Sequence, residues 1–169
     1  MEFYSFLVLM DAPKKVKITD VNVAMAKAEH YCAYQERSQQ EVRNKLYDWG
    51  LWTDAVENII SKLIEENYLN EERFAKAYVK GKFNQKAWGR IKIKQGLKFK
   101  NVSPVLIKKA LLTIDASDYM GALIRLIEKK AATLPEKDAY KRRYKLQQYA
   151  LSRGFEPELA LEVLKNSEL

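Results

Sequence analysis

The sequence predicts an all-α protein built from three tandem three-helix repeats, and three observations lead to that fold class. After residue 20, every long segment carries apolar side chains at helical spacing, and no segment sustains the polar–apolar alternation of a strand. Breaks in the pattern fall at glycine, asparagine and proline, which end helices. A pattern with a period of about 50 residues recurs three times, as in repeat proteins.

The helical periodicity divides the chain into nine predicted helices. One face is formed by the apolar residues Val56, Ile59, Ile60, Leu63 and Ile64, which follow the spacing of an amphipathic helix. Thr19 or Asp20 is the expected N-cap of the first helix. The predicted helices cover residues 21–36, 39–49, 54–67, 71–84, 88–100, 104–114, 117–133, 137–152 and 157–166.

The repeat is defined by a turn that closes the second helix of each unit. The residues expected to adopt the left-handed conformation there are Gly50, Asn101 and Gly154. Each is followed by an apolar residue: Leu51, Val102 and Phe155. The next helix then opens at a capping residue or at proline: Thr53, Ser103-Pro104 and Glu156-Pro157. Each unit is therefore helix-turn-helix-like, with repeats over 21–69, 70–115 and 116–169 after an N-terminal tail, 1–20. We expect serial packing to give an elongated, curved body.

The positive charge is concentrated in the central repeat. The chain has a net charge of +8, yet residues 74–114 contain 11 basic side chains and no acidic one. A solvated face normally mixes both signs, so this block predicts a surface for an acidic or polyanionic partner. The residues assigned to that surface are Lys82, Lys86, Arg90, Lys92, Lys94, Lys98, Lys100, Lys108 and Lys109, with a second cluster in the third repeat, Lys141, Arg142 and Arg143.

Several neighbouring residues are expected to be structural. The aromatics interleaved with the basic block, Phe83, Trp88 and Phe99, are assigned to the core in preference to base stacking. Of Trp49 and Trp52, at least one is expected to pack and one to be partly exposed. Arg73 is expected to form an ion pair with Glu71, Glu72 or a neighbouring helix.

The composition also argues against several classes of function. One cysteine and one histidine allow no internal disulfide and make a conventional zinc site or a catalytic triad a poor fit. No phosphate-binding loop of the G-x-x-x-x-G-K-[ST] type occurs. We therefore expect no enzyme and no cofactor. The longest apolar run, Phe6 to Met10, is too short for a membrane span, and no secretory signal pattern is recognised, so we expect a cytoplasmic protein. A monomer is also expected.

Four short motifs resemble the RecX family, the regulators of the bacterial RecA recombinase. They are Glu36 to Gly50, which contains the Arg-Ser-x-x-Glu opening; Tyr68 to Ala75; Trp88 to Ile93; and Leu151 to Phe155. The resemblance spans roughly residues 22–166. Two positions depart from the family pattern, with Gly96 in place of an acid and Asn101 in place of glycine.

The resemblance implies a function without catalytic residues. RecX proteins bind in the helical groove of the RecA–single-stranded-DNA filament, inhibit its ATPase, strand-exchange and coprotease activities, and bind DNA to a lesser extent. It therefore implies a role in recombination, DNA repair and the SOS response, with single-stranded DNA contacted directly or through the filament. The alternative is a DNA-binding protein that uses its helix-turn-helix-like units without a recombinase partner. The basic residues leave open whether DNA phosphates or acidic recombinase residues are contacted.

Overall fold

A computed structural model describes residues 17–167, and within this range the protein folds into nine α-helices and no strand. The helices are α1 Val21–Tyr34, α2 Gln39–Asp48, α3 Thr53–Glu65, α4 Glu71–Lys86, α5 Arg90–Phe99, α6 Pro104–Leu111, α7 Ala116–Thr133, α8 Ala139–Ser152 and α9 Pro157–Lys165. The all-α prediction is confirmed. The largest difference in an end position is at α6, predicted to reach residue 114.

Local capping chemistry explains where several helices begin. Asp20, one of two candidate caps, accepts hydrogen bonds from the amides of Asn22 and Val23 and so starts α1. Thr53 is not a cap as expected: it is the first residue of α3, and Trp52 occupies the N-cap position without a side-chain bond.

The predicted turn recurs with the same geometry in all three units. The left-handed residues have φ values of 93° at Gly50, 58° at Asn101 and 88° at Gly154. In each unit the following apolar residue is buried and its amide donates to the carbonyl five residues earlier. These bonds are Leu51 to Leu46 at 3.3 Å, Val102 to Leu97 at 3.2 Å and Phe155 to Ala150 at 3.2 Å. This is the Schellman arrangement, which satisfies carbonyls at the helix end.

The nine helices pack in three groups of three but form two apolar cores. Helices α1–α3 (unit 1) enclose one core, which runs from Ile18 to Leu69 in sequence. Helices α4–α6 (unit 2) and α7–α9 (unit 3) share a second core, which runs from Phe74 to Leu164. Units 2 and 3 are thus joined by apolar packing, whereas unit 1 has a core of its own.

The predicted tail falls mostly outside the described residues, because only 17–20 of residues 1–20 belong to the described range. Ile18 packs in the core of unit 1, and its amide donates to the Trp49 carbonyl at 2.8 Å. None of the described helices combines the length and apolar character that a membrane span requires.

Candidate functional site

A groove between α5 and α6 brings together part of the predicted basic surface. Its floor is aliphatic, and its lining includes Pro104, Ile107, Leu111, Leu112 and Ile114. The groove has a volume of about 690 Å³. The basic residues that line it are Arg90, Lys94, Lys98 and Lys108, and no carboxylate within residues 17–167 lines it. We call this feature the α5–α6 groove.

The α5 side of the groove follows directly from helical spacing. Arg90, Lys94 and Lys98 stand four residues apart, so they form one stripe while Ile93 and Leu97, both fully buried, point into the core. The predicted stripe on α5 is therefore formed. Arg90 is held in place, because its guanidinium lies 4.0 Å from the ring centroid of Tyr119. Lys94 and Lys98 are exposed to solvent.

Three other predicted residues, Lys82, Lys86 and Lys92, do not line this groove. Lys82 and Lys86 lie on α4, which ends at Lys86, whereas Lys92 lies on α5 but outside the stripe. Ala87 adopts a left-handed conformation with φ 48°, so the chain changes direction before α5 begins. The ammonium groups of Lys82 and Lys92 lie 4.9 and 5.0 Å from the ring centroid of Trp88. Lys86 instead lines a different pocket beside unit 3.

Two further lysines are used inside the fold as ion pairs. Lys100 bonds Glu41 of unit 1 at 2.6 Å, and Lys109 bonds Glu72 of α4 at 2.8 Å. Glu72 also pairs with Lys76, and hydrogen bonds from Lys109 and Lys76 lower the pKa of Glu72 to about 2. The charges of Lys100 and Lys109 are therefore partly neutralised inside the fold, whereas Lys94 and Lys98 have no ion-pair partner within residues 17–167.

The second basic cluster also has internal partners. Arg142 donates to the carbonyls of Leu134 and Ala131 at 2.9 and 2.8 Å, near the end of α7. Arg143 donates to the Leu164 carbonyl near the end of α9 at 2.7 Å. Both therefore satisfy carbonyls that a helix end leaves open. Lys141 is exposed, and external contact by these three residues stays a prediction.

Among the aromatic side chains assigned from the sequence, only Phe99 lies in a different environment from the one expected. Phe83 and Trp88 pack against the shared core, as predicted. Phe99 does not, because 88% of its surface is exposed. Trp49 packs against unit 1, whereas Trp52 is exposed, which confirms that prediction.

Residues of the sequence motifs build the joint between units 2 and 3. The amides of Gly89 and Ile91 donate to the carbonyls of Arg153 and Gly154 at 2.8 and 3.0 Å. Arg153 also donates to the Lys86 carbonyl. Gly89 has no space for a side chain, since an added Cβ would lie 2.2 Å from the Gly154 oxygen. The Gly89 motif and the closing Arg-Gly-Phe motif are therefore two sides of one contact.

Tyr119 stabilises the joint between units 2 and 3 from within their shared core. Its hydroxyl donates to Glu156 at 2.6 Å and accepts the Arg90 amide at 2.9 Å, which caps the start of α5 from unit 3. Burial, together with the bond to Glu156, raises the pKa of Tyr119.

Units 1 and 2 meet through a polar seam. Arg73 forms the structural ion pair that was expected, and of the alternatives offered its partner is not Glu71 or Glu72 but Glu36, which follows α1. Ser38 and Glu41 form a capping box for α2, and Glu41 also accepts from Lys100. Burial opposes ionisation of Glu41, but the bonds from Lys100 and Ser38 outweigh it, so the pKa of Glu41 lies below its ordinary value. The motif that opens with Glu36 therefore has a structural role.

A second cationic pocket lies where units 2 and 3 meet. It has a volume of about 620 Å³ and contains Lys86, Arg125, Lys129 and Arg153 beside one acid, Asp118. Sequence reasoning missed the last three basic residues because they are far apart in the chain. Among the described residues, no group of three metal-ligating side chains could hold a metal ion.

Comparison with known proteins identifies the architecture. Family models described as RecX first, second and third three-helix domains match residues 24–63, 70–111 and 117–164. The chain is 33% identical over 131 residues to Regulatory protein RecX of Clostridium perfringens (strain 13 / Type A), covering 76% of this chain and 61% of that protein. It is 26% identical over 152 residues to Regulatory protein RecX of Bacillus mycoides (strain KBAB4), covering 88% and 56%. The chain thus spans less than two thirds of the length of these relatives.

The crystal structure of RecX from Lactobacillus salivarius has the same fold, with a TM-score of 0.78 and 25% identity over 86% of this chain and 95% of that one. The family models follow one another in the order of units 1, 2 and 3, and together they cover most of the chain. This chain therefore belongs to the RecX family of regulatory proteins.

Proposed function

We propose that this protein regulates a RecA-type recombinase by binding its filament on single-stranded DNA and inhibiting ATP hydrolysis, strand exchange and coprotease activity. The observation that carries the proposal is the tandem match of all three RecX three-helix domains. The α5–α6 groove is the contact surface we assign, because no carboxylate of the described residues lines it, while Lys100 and Lys109 of unit 2 are ion-paired.

The physical basis of inhibition is occlusion of the filament groove. If the three joined units lie along the groove of the filament, they cover more than one recombinase protomer. The shared core of units 2 and 3 keeps these two units together. Occupancy would block the incoming duplex and oppose the protomer movements of ATP turnover. No described residue needs to act chemically in this mechanism, so we propose that the protein is not an enzyme.

The decisive experiment is a titration of this protein into the ATPase of the cognate recombinase on single-stranded DNA. We expect the wild-type protein to inhibit, and the triple variant Lys94→Glu, Lys98→Glu and Lys108→Glu to lose most inhibition because the groove charge is reversed.

A matched control reverses three exposed lysines outside the groove, Lys62→Glu, Lys137→Glu and Lys165→Glu. Both triple variants change net charge equally, so only a location-specific contact separates them. Equal inhibition by the folded groove variant and the control would contradict our assignment of the α5–α6 groove as the contact surface.

The alternative, a DNA-binding protein without a recombinase partner, has less support. The exposed residues in and directly after α6 include Val105, Lys108, Lys109 and Leu112, and α6 contains no asparagine, glutamine or arginine. Those side chains read base edges by paired hydrogen bonds. Tight binding to naked DNA with no effect on the recombinase ATPase would favour this alternative.

A further inference from the structure

We propose that the α5–α6 groove binds an acidic amphipathic segment of a partner protein, with apolar side chains on the groove floor and carboxylates against its cationic edges. This inference rests on the proposed function for the choice of surface. It goes further in naming the chemistry that the surface recognises, which the basic charge alone leaves undecided between phosphate and carboxylate.

The floor of the α5–α6 groove is aliphatic. Ile107, Leu111 and Ile114 form it, and Leu112 stands at its margin with 75% of its surface exposed. A phosphodiester backbone gains no binding free energy from contact with an aliphatic surface. The apolar face of a peptide helix does, because the contact removes it from water.

The described lining of the groove offers no side chain on which a base could stack. Proteins that hold single strands without sequence preference combine cationic grooves with aromatic side chains on which bases stack. In the part of the chain that the structure describes, no aromatic residue lines the α5–α6 groove. Phe99, the last residue of α5, is exposed but does not line the groove.

The cations of the groove are arranged along a fixed length that a short acidic helix could match. Arg90, Lys94 and Lys98 span about 12 Å of α5, from the helical rise of 1.5 Å per residue, and Lys108 faces them from α6. A helical segment of two to three turns, with acids four residues apart on its edge, would meet each cation. Arg90 is already oriented by Tyr119, which reduces the entropy lost on binding.

The test uses a fluorescent acidic peptide of about 18 residues, with leucines at helical spacing on one face and glutamates along its edges. A scrambled peptide of the same composition lacks the apolar face. We expect the wild-type protein to bind the amphipathic peptide at least about tenfold more tightly than the scrambled one.

The variant Leu112→Ser should weaken peptide binding by about tenfold through loss of apolar contact. Val105→Ser is the matched control, since Val105 lies on α6, is 74% exposed and does not line the groove, and it should leave binding unchanged. Lys94→Glu with Lys98→Glu should weaken binding by a further large factor, while Lys62→Glu with Lys165→Glu should not.

An oligothymidylate probe tests the phosphate outcome. If four groove cations neutralised phosphates, binding would fall with salt on a log–log slope of about −3 and would be insensitive to Leu112→Ser. That result, or equal affinity for the scrambled peptide, would overturn the inference.

The same proteins distinguish this inference from the proposed function. Inhibition of the recombinase ATPase without peptide binding would refute the inference alone. Peptide binding without ATPase inhibition would refute the proposed regulation and leave the groove chemistry standing. We expect excess amphipathic peptide, and not the scrambled one, to relieve the inhibition.

Discussion

The substitution Gly89→Ala should break the joint between units 2 and 3. The added Cβ would lie 2.2 Å from the Gly154 carbonyl oxygen and 2.4 Å from the Phe155 nitrogen. Both atoms belong to the backbone, so no side-chain rotation relieves the overlap. The two segments must separate by about 1 Å to restore ordinary contact distances.

That separation removes two hydrogen bonds. The Gly89 and Ile91 amides now donate across the joint at 2.8 and 3.0 Å, and both bonds would exceed the usual limit for an N–H donor. An unsatisfied buried donor costs about 1–3 kcal/mol, so we expect a loss of about 2–5 kcal/mol in the free energy of unfolding. For a chain of this size, the melting temperature should fall by about 5–15 °C.

The assay is unfolding by heat and by urea, followed by circular dichroism at constant protein concentration. Gly81→Ala makes the matched control, because Gly81 lies inside α4 with nothing within 4 Å of the added Cβ. The control should be more stable than the wild type by about 0.5–1 kcal/mol, since alanine favours a helix. A Gly89→Ala protein within about 1 kcal/mol of the wild type would refute the steric argument.

Two more substitutions test the joints. Tyr119→Phe should cost about 2–3 kcal/mol in urea unfolding, because Arg90 loses its amide acceptor and Glu156 its donor; Tyr140→Phe, 83% exposed, should change little, and equal effects would contradict this role. Lys100→Ala should cost about 1–2 kcal/mol at neutral pH. The folded-state pKa of Glu41 lies below its ordinary 4.5, so the stability that this pair adds is full above that pH and is lost as the pH falls through the lower folded value. Urea unfolding from neutral to acidic pH should therefore show the difference from wild type shrinking below about pH 4.5, and a difference that stays constant would reject the pairing.

Local features of this fold could be predicted because their causes are local. Helical spacing placed Ile93 and Leu97 in the core and Lys94 outside it, as observed. The left-handed turns followed from glycine or asparagine before an apolar residue.

Features that depend on distant residues could not be predicted in the same way. Ala87 takes a left-handed conformation that alanine does not signal, and this turn directs Lys82 and Lys86 away from the α5–α6 groove. The partner of Lys100 lies 59 residues earlier, and the partner of Arg73 lies 37 residues earlier. The charge of a residue is visible in the sequence, but whether that charge is already neutralised is not.

The apolar joint between units 2 and 3 and the polar seam between units 1 and 2 should differ in stiffness. Bending between units 2 and 3 would expose apolar surface from one continuous core, so those two units should move as one rigid body. Bending at the seam between units 1 and 2 mainly exchanges polar contacts, including those of Glu41 and Arg73, for contacts with water. The softest internal motion of the protein should therefore be rotation of unit 1 about this seam, which would allow one chain to follow a helical track whose pitch varies.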